Sequence, residues 1–139
     1  MSVDLEFPIE FVVQGTPVSL QAKRAEALKA WKTRVREASY SGLPEGHFST
    51  DRPVSVTLYY FPDGQMQGDV DNIVKPVLDA LCRHIYFDDH QVERVWVQKF
   101  EPGRLFEFRQ PSKALSEALT GPKPLLYVRL GDDPTEGLV

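Results

Sequence analysis

One short segment, residues 68–95, constrains the fold and the function of this chain more than any other. Its apolar residues recur at the spacing of one helix face, and they are Ile73, Val74, Val77, Leu78 and Leu81. On the other side of the same helix, Asp71, Lys75 and Asp79 follow one another at intervals of four residues. Pro76 lies early in the pattern, so the helix either begins close to it or is kinked there. The segment therefore predicts an amphipathic helix with carboxylates and an ammonium group on its polar face.

Five aspartates fall within this segment, and two pairs of them flank the helix. Asp69 and Asp71 stand at the predicted helix start, where aspartate commonly serves as an N-cap. Asp88 and Asp89 follow a short apolar stretch after the helix. Each aspartate taken alone is typical of a cap or of a solvated helix face, but the two pairs can converge on one point. Because clustered carboxylates repel one another and Mg²⁺ prefers carboxylate oxygens, the set favours a divalent-metal site.

The order of these motifs resembles the signature of the RusA family, the Holliday-junction resolvases of bacteria and their phages. The residues that carry the resemblance are Gly68-Asp69-Val70-Asp71-Asn72 with Lys75, then Leu78-Asp79-Ala80-Leu81, then Asp88-Asp89-His90-Gln91-Val92. A weaker likeness extends to residues 13–19, which are similar to the opening strand and turn of the family. Either half of the main motif alone would be a weak signal, but the two together in this order are specific.

The resemblance implies a Mg²⁺ site, with Mn²⁺ as an alternative, whose ligands are Asp69, Asp71 and Asp89. Asp88 is adjacent and would contribute directly or through a water molecule. Lys75, one turn past Asp71, would stabilise the charged transition state or orient the attacking water. These residues form the predicted catalytic site.

Two further polar residues of the motif are expected to support the site without binding the metal. Asp79 lies close to Lys75 on the helix face and would hold it in position. Asn72 is assigned to helix capping or to hydrogen bonding around the ligands.

The activity implied by the resemblance is an endonuclease that resolves Holliday junctions by paired symmetric nicks in DNA recombination and repair. It would act as a homodimer on four-way junctions, in the cytoplasm of a bacterial or phage-infected cell. One alternative is a related nuclease on other branched or single-stranded DNA, in phage replication or defence. Others are a non-catalytic protein that binds DNA structures and a small metal-binding protein with no nucleic-acid role.

Residues 21–39 are predicted to form a second amphipathic helix, and it is the most basic part of the chain. The candidate DNA-binding residues in it are Lys23, Arg24, Lys29, Lys32 and Arg36. A solvated surface face explains such a cluster, and so does contact with the phosphates that a nuclease must hold. Trp31 falls on the apolar stripe and is therefore assigned to the core.

Net charge argues mildly against a nucleic-acid partner, since 20 acidic residues outnumber 16 basic ones. The last eight residues hold Asp132, Asp133 and Glu136, and without them 17 acidic residues face 16 basic ones. DNA contact must therefore come from local basic patches. The single cysteine, Cys82, excludes an internal disulfide, and no apolar run is long enough to span a membrane.

Strand and helix patterns alternate along the chain. Strands are predicted at 5–14, 54–61, 92–100 and 124–130, and helices at 21–39, in the motif segment and at 110–119. This order gives an α/β (α+β) class in a single domain, and the resemblance implies a mixed β-sheet flanked by helices. Strand 92–100 is expected to pair with strand 54–61. The domain is assigned to residues 1–131, followed by an acidic flexible tail at 132–139.

Overall fold

The computed structural model describes residues 3–19 and 24–138. Within them, four β-strands alternate with three α-helices. The strands are β1 (Ile9–Gln14), β2 (Val54–Phe61), β3 (Val92–Lys99) and β4 (Leu125–Gly131), and the helices are α1 (Ala25–Ser39), α2 (Val74–Leu81) and α3 (Lys113–Thr120). Short 3₁₀ helices at Tyr40–Gly42, Val70–Ile73 and Asp89–Gln91 join some of these elements. The predicted fold class is confirmed.

The sheet is mixed, with strand order β1-β4-β2-β3. Strand β4 pairs antiparallel with both β1 and β2, whereas β2 and β3 pair in parallel. Parallel neighbours need a crossover connection, and α2 lies within the one that joins β2 to β3. The predicted pairing of these two strands is confirmed, and it places the end of the 68–95 segment on the edge strand β3 beside β2.

One face of the sheet is covered by α1 and α2. Alternate residues of β2, such as Val56 and Leu58, point to this face and are fully buried. Trp31 of α1 and Val77 of α2 pack against them in the same core. Trp31 is only 3% exposed, which confirms its assignment to the core and excludes it as a stacking surface for DNA bases.

The opposite face is covered only in part, by α3. Leu115 and Ala118 of this helix pack on Phe61, Leu125 and Tyr127 of the sheet. Helix α3 begins after Ser112, whose hydroxyl accepts a hydrogen bond from the backbone N–H of Leu115. Helix α3 does not cover the rest of this face.

The motif helix starts as the 3₁₀ turn Val70–Ile73 and continues as α2. Pro76 is the third residue of α2, within its first turn, where the missing N–H leaves no hydrogen bond unmade. The helix therefore begins close to this proline. Within residues 3–19 and 24–138, no helix combines the length and apolar character that crossing a membrane requires.

Candidate active site

The first pair of aspartates lies at the entrance of the motif helix. Gly68 has a φ of +81°, a conformation that favours glycine, and it turns the chain into Asp69. Asp69 is extended and stands at the N-cap position, but its side chain makes no capping hydrogen bond. Asp69 and Asp71 are both exposed to solvent. The Asp69 carboxylate therefore does not act as a helix cap in this structure.

Lys75 joins the motif helix to the second aspartate pair. Its Nζ donates hydrogen bonds to Asp89 Oδ2 at 2.7 Å and to Asp79 Oδ1 at 2.9 Å. These two carboxylates raise the pKa of Lys75 well above its usual value, the hydrogen bond to Asp89 being the larger cause. The side chain keeps 49% of its surface exposed. Lys75 is therefore a permanently charged ammonium group that remains accessible to a substrate.

The two carboxylate oxygens of Asp89 differ in their surroundings, and it is Oδ2 that contacts Lys75. Its Oδ1 is buried and has no hydrogen-bond partner of ordinary geometry in the described chain. A buried carboxylate oxygen without a donor is unfavourable, and a cation would remove this penalty. The Cys82 thiol lies nearby; burial, and then the charges of Asp89 and Asp88, raise its pKa, and Sγ donates to the Phe87 carbonyl oxygen at 3.6 Å.

Asp88 acts as a helix cap in this structure. Its Oδ1 accepts from the backbone N–H of His90 at 3.1 Å, at the start of the 3₁₀ helix Asp89–Gln91. This hydrogen bond is the main cause that lowers the pKa of Asp88. The geometry favours capping over a direct role for Asp88 as metal ligand.

Gln91 fixes the Asp88–Asp89 segment, and sequence reasoning assigned no role to it. Its Oε1 accepts from the N–H groups of Phe87 and Asp88 at 2.8 and 2.9 Å. Its Nε2 donates to the carbonyl oxygens of Thr50 and Arg52 at 2.9 and 3.0 Å. The side chain is only 7% exposed, so all of the amide's hydrogen bonds serve to hold this turn. The available signal was the glutamine three residues after Asp88, which completes a capping box.

The structure brings Lys75, Asp79 and Asp89 into contact, as a set on one side of α2. Asp69 and Asn72 line a different cleft, of about 160 Å³, that none of these three residues borders. The 3₁₀ helix Val70–Ile73 contacts β3, the strand that follows Asp89. In the described part of the chain, no three acidic, histidine or cysteine side chains form a group that could hold a metal ion. The donor chemistry fits a hard cation, whereas a closed set of three ligands is not formed.

Part of the predicted DNA-binding set lines one cleft between α1 and α2. Lys29, Lys32 and Arg36 share a face of α1 and border a cleft of about 410 Å³ together with Asp79. Lys32 Nζ lies 3.6 Å from Asp79 Oδ2, so this cleft leads directly to Lys75.

The other two predicted DNA-binding residues stand at the start of α1. Arg24 occupies the N-cap position and is exposed. Lys23 lies outside the described residues.

A histidine pair lies beside α1 and belongs to the packing of the fold. His84 Nε2 is 2.8 Å from Ser39 Oγ, and His47 Nε2 is 2.9 Å from the His84 carbonyl oxygen. Burial, with smaller contributions from His47 and Arg36, lowers the pKa of His84 to about 4. His84 is therefore neutral at physiological pH.

Fold and site together define a small α/β protein in which carboxylates from two separate segments surround one charged lysine. The model of the family described as Endodeoxyribonuclease RusA matches residues 10–105. This match covers well over half of the chain, and the protein therefore belongs to the RusA endodeoxyribonuclease family. The comparison with curated proteins found no match. Membership confirms the resemblance seen in the motif and identifies the protein as a nuclease.

Proposed function

We propose that this protein is a divalent-metal-dependent endonuclease that resolves Holliday junctions by paired symmetric nicks. One observation carries the proposal within the family: the Lys75 ammonium is held 2.7 Å from Asp89, whose other carboxylate oxygen is buried and has no hydrogen-bond partner of ordinary geometry among the described residues. A positive group beside an unsatisfied anionic oxygen is what a site for phosphate and a cation requires.

The residues that would hold the cation are Asp69, Asp71 and Asp89. All three offer carboxylate oxygens, the donors that Mg²⁺ and Mn²⁺ prefer. When bound, such an ion stabilises negative charge on the phosphate and lowers the pKa of a coordinated water. Two observations support this assignment. Among the described residues, Oδ1 of Asp89 is buried and has no hydrogen-bond partner of ordinary geometry, and the Asp69 carboxylate makes no capping hydrogen bond.

Lys75 would stabilise the negative charge that develops on the phosphate as the bond to its bridging oxygen breaks. Its raised pKa keeps the ammonium charged over the whole physiological range. Asp79 restricts the position of Nζ through the 2.9 Å contact and also reaches Lys32 of α1. Because a preorganised charge needs no rearrangement during the reaction, this restraint contributes to the rate.

The cleft between α1 and α2 is the proposed path of the cleaved strand. Lys29, Lys32 and Arg36 border it and are spaced along one helix face, so each can contact a phosphate. Arg36 Nε donates to the Ala80 carbonyl oxygen at 3.2 Å, which fixes the position of its side chain. Arg24, at the exposed start of the helix, and Lys23 would extend the contacts.

A homodimer is proposed because a four-way junction has near two-fold symmetry. A two-fold dimer presents two identical sites and can cut two opposed strands. Paired nicks then leave two separate duplexes, the result that recombination and repair in the bacterial or phage-infected cytoplasm need.

A substrate panel tests this proposal. Four-way junction, linear duplex, a flap and single-stranded DNA are each labelled on one strand at a time and incubated with Mg²⁺, with Mn²⁺ or with EDTA. We expect symmetric nicks in two opposed strands of the junction, and none in EDTA. Preferential cutting of a flap or of single strands would favour the related-nuclease alternative instead. Junction binding without nicking under any metal condition would favour a non-catalytic binding protein.

A further inference from the structure

The open part of the sheet, opposite α1 and α2, carries a basic and aromatic surface. Thr57 of β2 pairs with Trp96 of β3 on one side and with Arg129 of β4 on the other, and Ser55 pairs with Arg94. These side chains therefore share one face of the sheet. We call the surface formed by Arg94, Trp96 and Arg129 the arginine face.

The arginine face borders a wide cleft with aromatic walls. The cleft has a volume of about 440 Å³, and its lining includes Tyr59, Tyr127 and a third arginine, Arg109. Trp96 is 50% exposed, which is unusual for a tryptophan in a sheet. Guanidinium groups beside the exposed Trp96 ring match the chemistry of a nucleic-acid strand, which offers phosphates to the charges and a base to the ring.

The acidic end of the chain lies on this face. Arg94 Nη1 donates to the carbonyl oxygens of Pro134 and Glu136 at 3.2 and 2.5 Å. Arg129 Nη2 lies 3.6 Å from the Glu136 carboxylate. At the start of the same segment, Asp132 accepts a hydrogen bond from Arg52, which precedes β2. The tail thus places anionic and carbonyl oxygens on the groups that would otherwise bind phosphate.

We propose that the arginine face is a second DNA-binding surface, and that residues 132–138 compete with DNA for it. Arg94 and Arg129 would bind backbone phosphates of a junction arm, and Trp96 would contact an unstacked base. The Glu136 carboxylate occupies the position of a phosphate when DNA is absent. This inference rests on the proposed function, since it assumes that the protein binds branched DNA.

Charge complementarity selects DNA over other occupants of this face. A second copy of the chain would also have to displace the tail, but it would bring a net charge of −4 against a net charge of −4. A DNA strand brings one negative charge per phosphate to both arginines. In the structure, Arg129 faces the Glu136 carboxylate and Arg94 is bound by neutral carbonyl oxygens.

Full-length variants measured for junction binding in EDTA, where no cleavage occurs, test the inference. Arg129→Gln is expected to weaken binding about fivefold and to reduce the slope of log Kobs against log salt by about one. Glu136→Gln is expected to tighten binding about two- to threefold, because it removes the competing carboxylate. Matched controls are Arg104→Gln and Glu117→Gln, which remove exposed charges outside this face and should change binding less than the tested variants.

Three outcomes would overturn the inference. The first is wild-type junction affinity and salt dependence in both Arg129→Gln and Glu136→Gln, with the protein still binding DNA; the proposed function would then stand alone. The second is a change in sedimentation rather than in DNA affinity, which would make the face an interface between copies. The third is a wild-type protein that binds no DNA, and this result would remove the proposed function as well.

Discussion

The Lys75 ammonium contacts the Asp89 carboxylate at 2.7 Å, although the two residues are 14 positions apart in the chain. This contact joins the helix α2 to the turn that precedes β3. Lys75 therefore contacts both halves of the motif. Its replacement should lower the cleavage rate more than the stability of the fold.

We predict that Lys75→Met lowers the rate of junction cleavage by about 100-fold or more, because a preorganised positive charge is lost. Lys75→Arg should recover part of this rate, since a charge returns in a different geometry. Single-turnover cleavage at saturating enzyme measures the effect, with Lys113→Met on the exposed start of α3 as the control. Unchanged cleavage in Lys75→Met would remove this residue from the mechanism.

The pH dependence of the same residue follows from its raised pKa. A raised pKa in the folded protein means that the charge persists up to higher pH, and the stability it adds is lost only as pH rises through the folded-state value. We therefore expect no decrease in cleavage rate due to Lys75 between pH 7 and about pH 10. Comparison of pH–rate profiles for the wild type and Lys75→Arg checks this; a decrease near pH 8 that Arg abolishes would contradict it.

Replacement of an aspartate at the start of the motif helix should separate junction binding from junction cleavage. Asp71→Asn should lower cleavage by about 100-fold or more while junction affinity in EDTA stays within about twofold. Asp63→Asn is the matched control, because Asp63 is an exposed aspartate of the preceding turn. Cleavage by Asp71→Asn at the wild-type rate would show that Asp71 is not a ligand.

The sequence predicted those features that depend on local spacing. Strand 54–61 and the helical face that pairs Lys75 with Asp79 are both found as expected, because period-2 and period-3.6 patterns determine them directly. The parallel direction of β2 and β3 was not readable, since it depends on where the crossover packs. The hydrogen bonds of the Gln91 side chain were not predicted, because two of its partners, the Thr50 and Arg52 carbonyls, lie about 40 residues earlier in the chain.

The C-terminal segment illustrates a second limit of local patterns. Its polar composition predicted a flexible tail but did not predict the contacts of this segment: Arg52 donates to Asp132 at 2.7 Å, and Arg94 donates to the carbonyl oxygen of Glu136. The Arg94 contact depends on the register of β3 and β4 against β2, which places Arg94 and Arg129 on one face of the sheet. Composition alone contains no information about that register.

Gln91→Leu is predicted to destabilise the fold by about 2–3 kcal/mol, because four partly buried backbone groups lose their side-chain partner. Chemical denaturation measures this effect. The variant should also need more Mg²⁺ for half-maximal cleavage than a variant equally destabilised in the α3 core, such as Leu115→Ala. Equal Mg²⁺ requirements in the two variants would reduce Gln91 to a purely structural role.

The depressed pKa of His84 predicts that stability decreases at mildly acidic pH. The unfolded chain takes up a proton near the ordinary pKa of 6.5, whereas the folded protein does so only near 4. Stability is therefore expected to decline as pH falls from about 6.5 to about 4, by on the order of 2 kcal/mol for a half-buried group. His84→Gln should flatten this dependence and His90→Gln, whose ring is 79% exposed, should not. A wild-type dependence in His84→Gln would assign the titration elsewhere.

A Mn²⁺ titration followed by amide NMR addresses most directly whether two separate segments share one cation beside Lys75. We predict that paramagnetic broadening affects the amides of residues 69–72 and 89–91 over the same range of Mn²⁺ concentration. Asp89→Asn should abolish the broadening in both segments. Broadening confined to one segment, or unchanged in Asp89→Asn, would contradict a shared site.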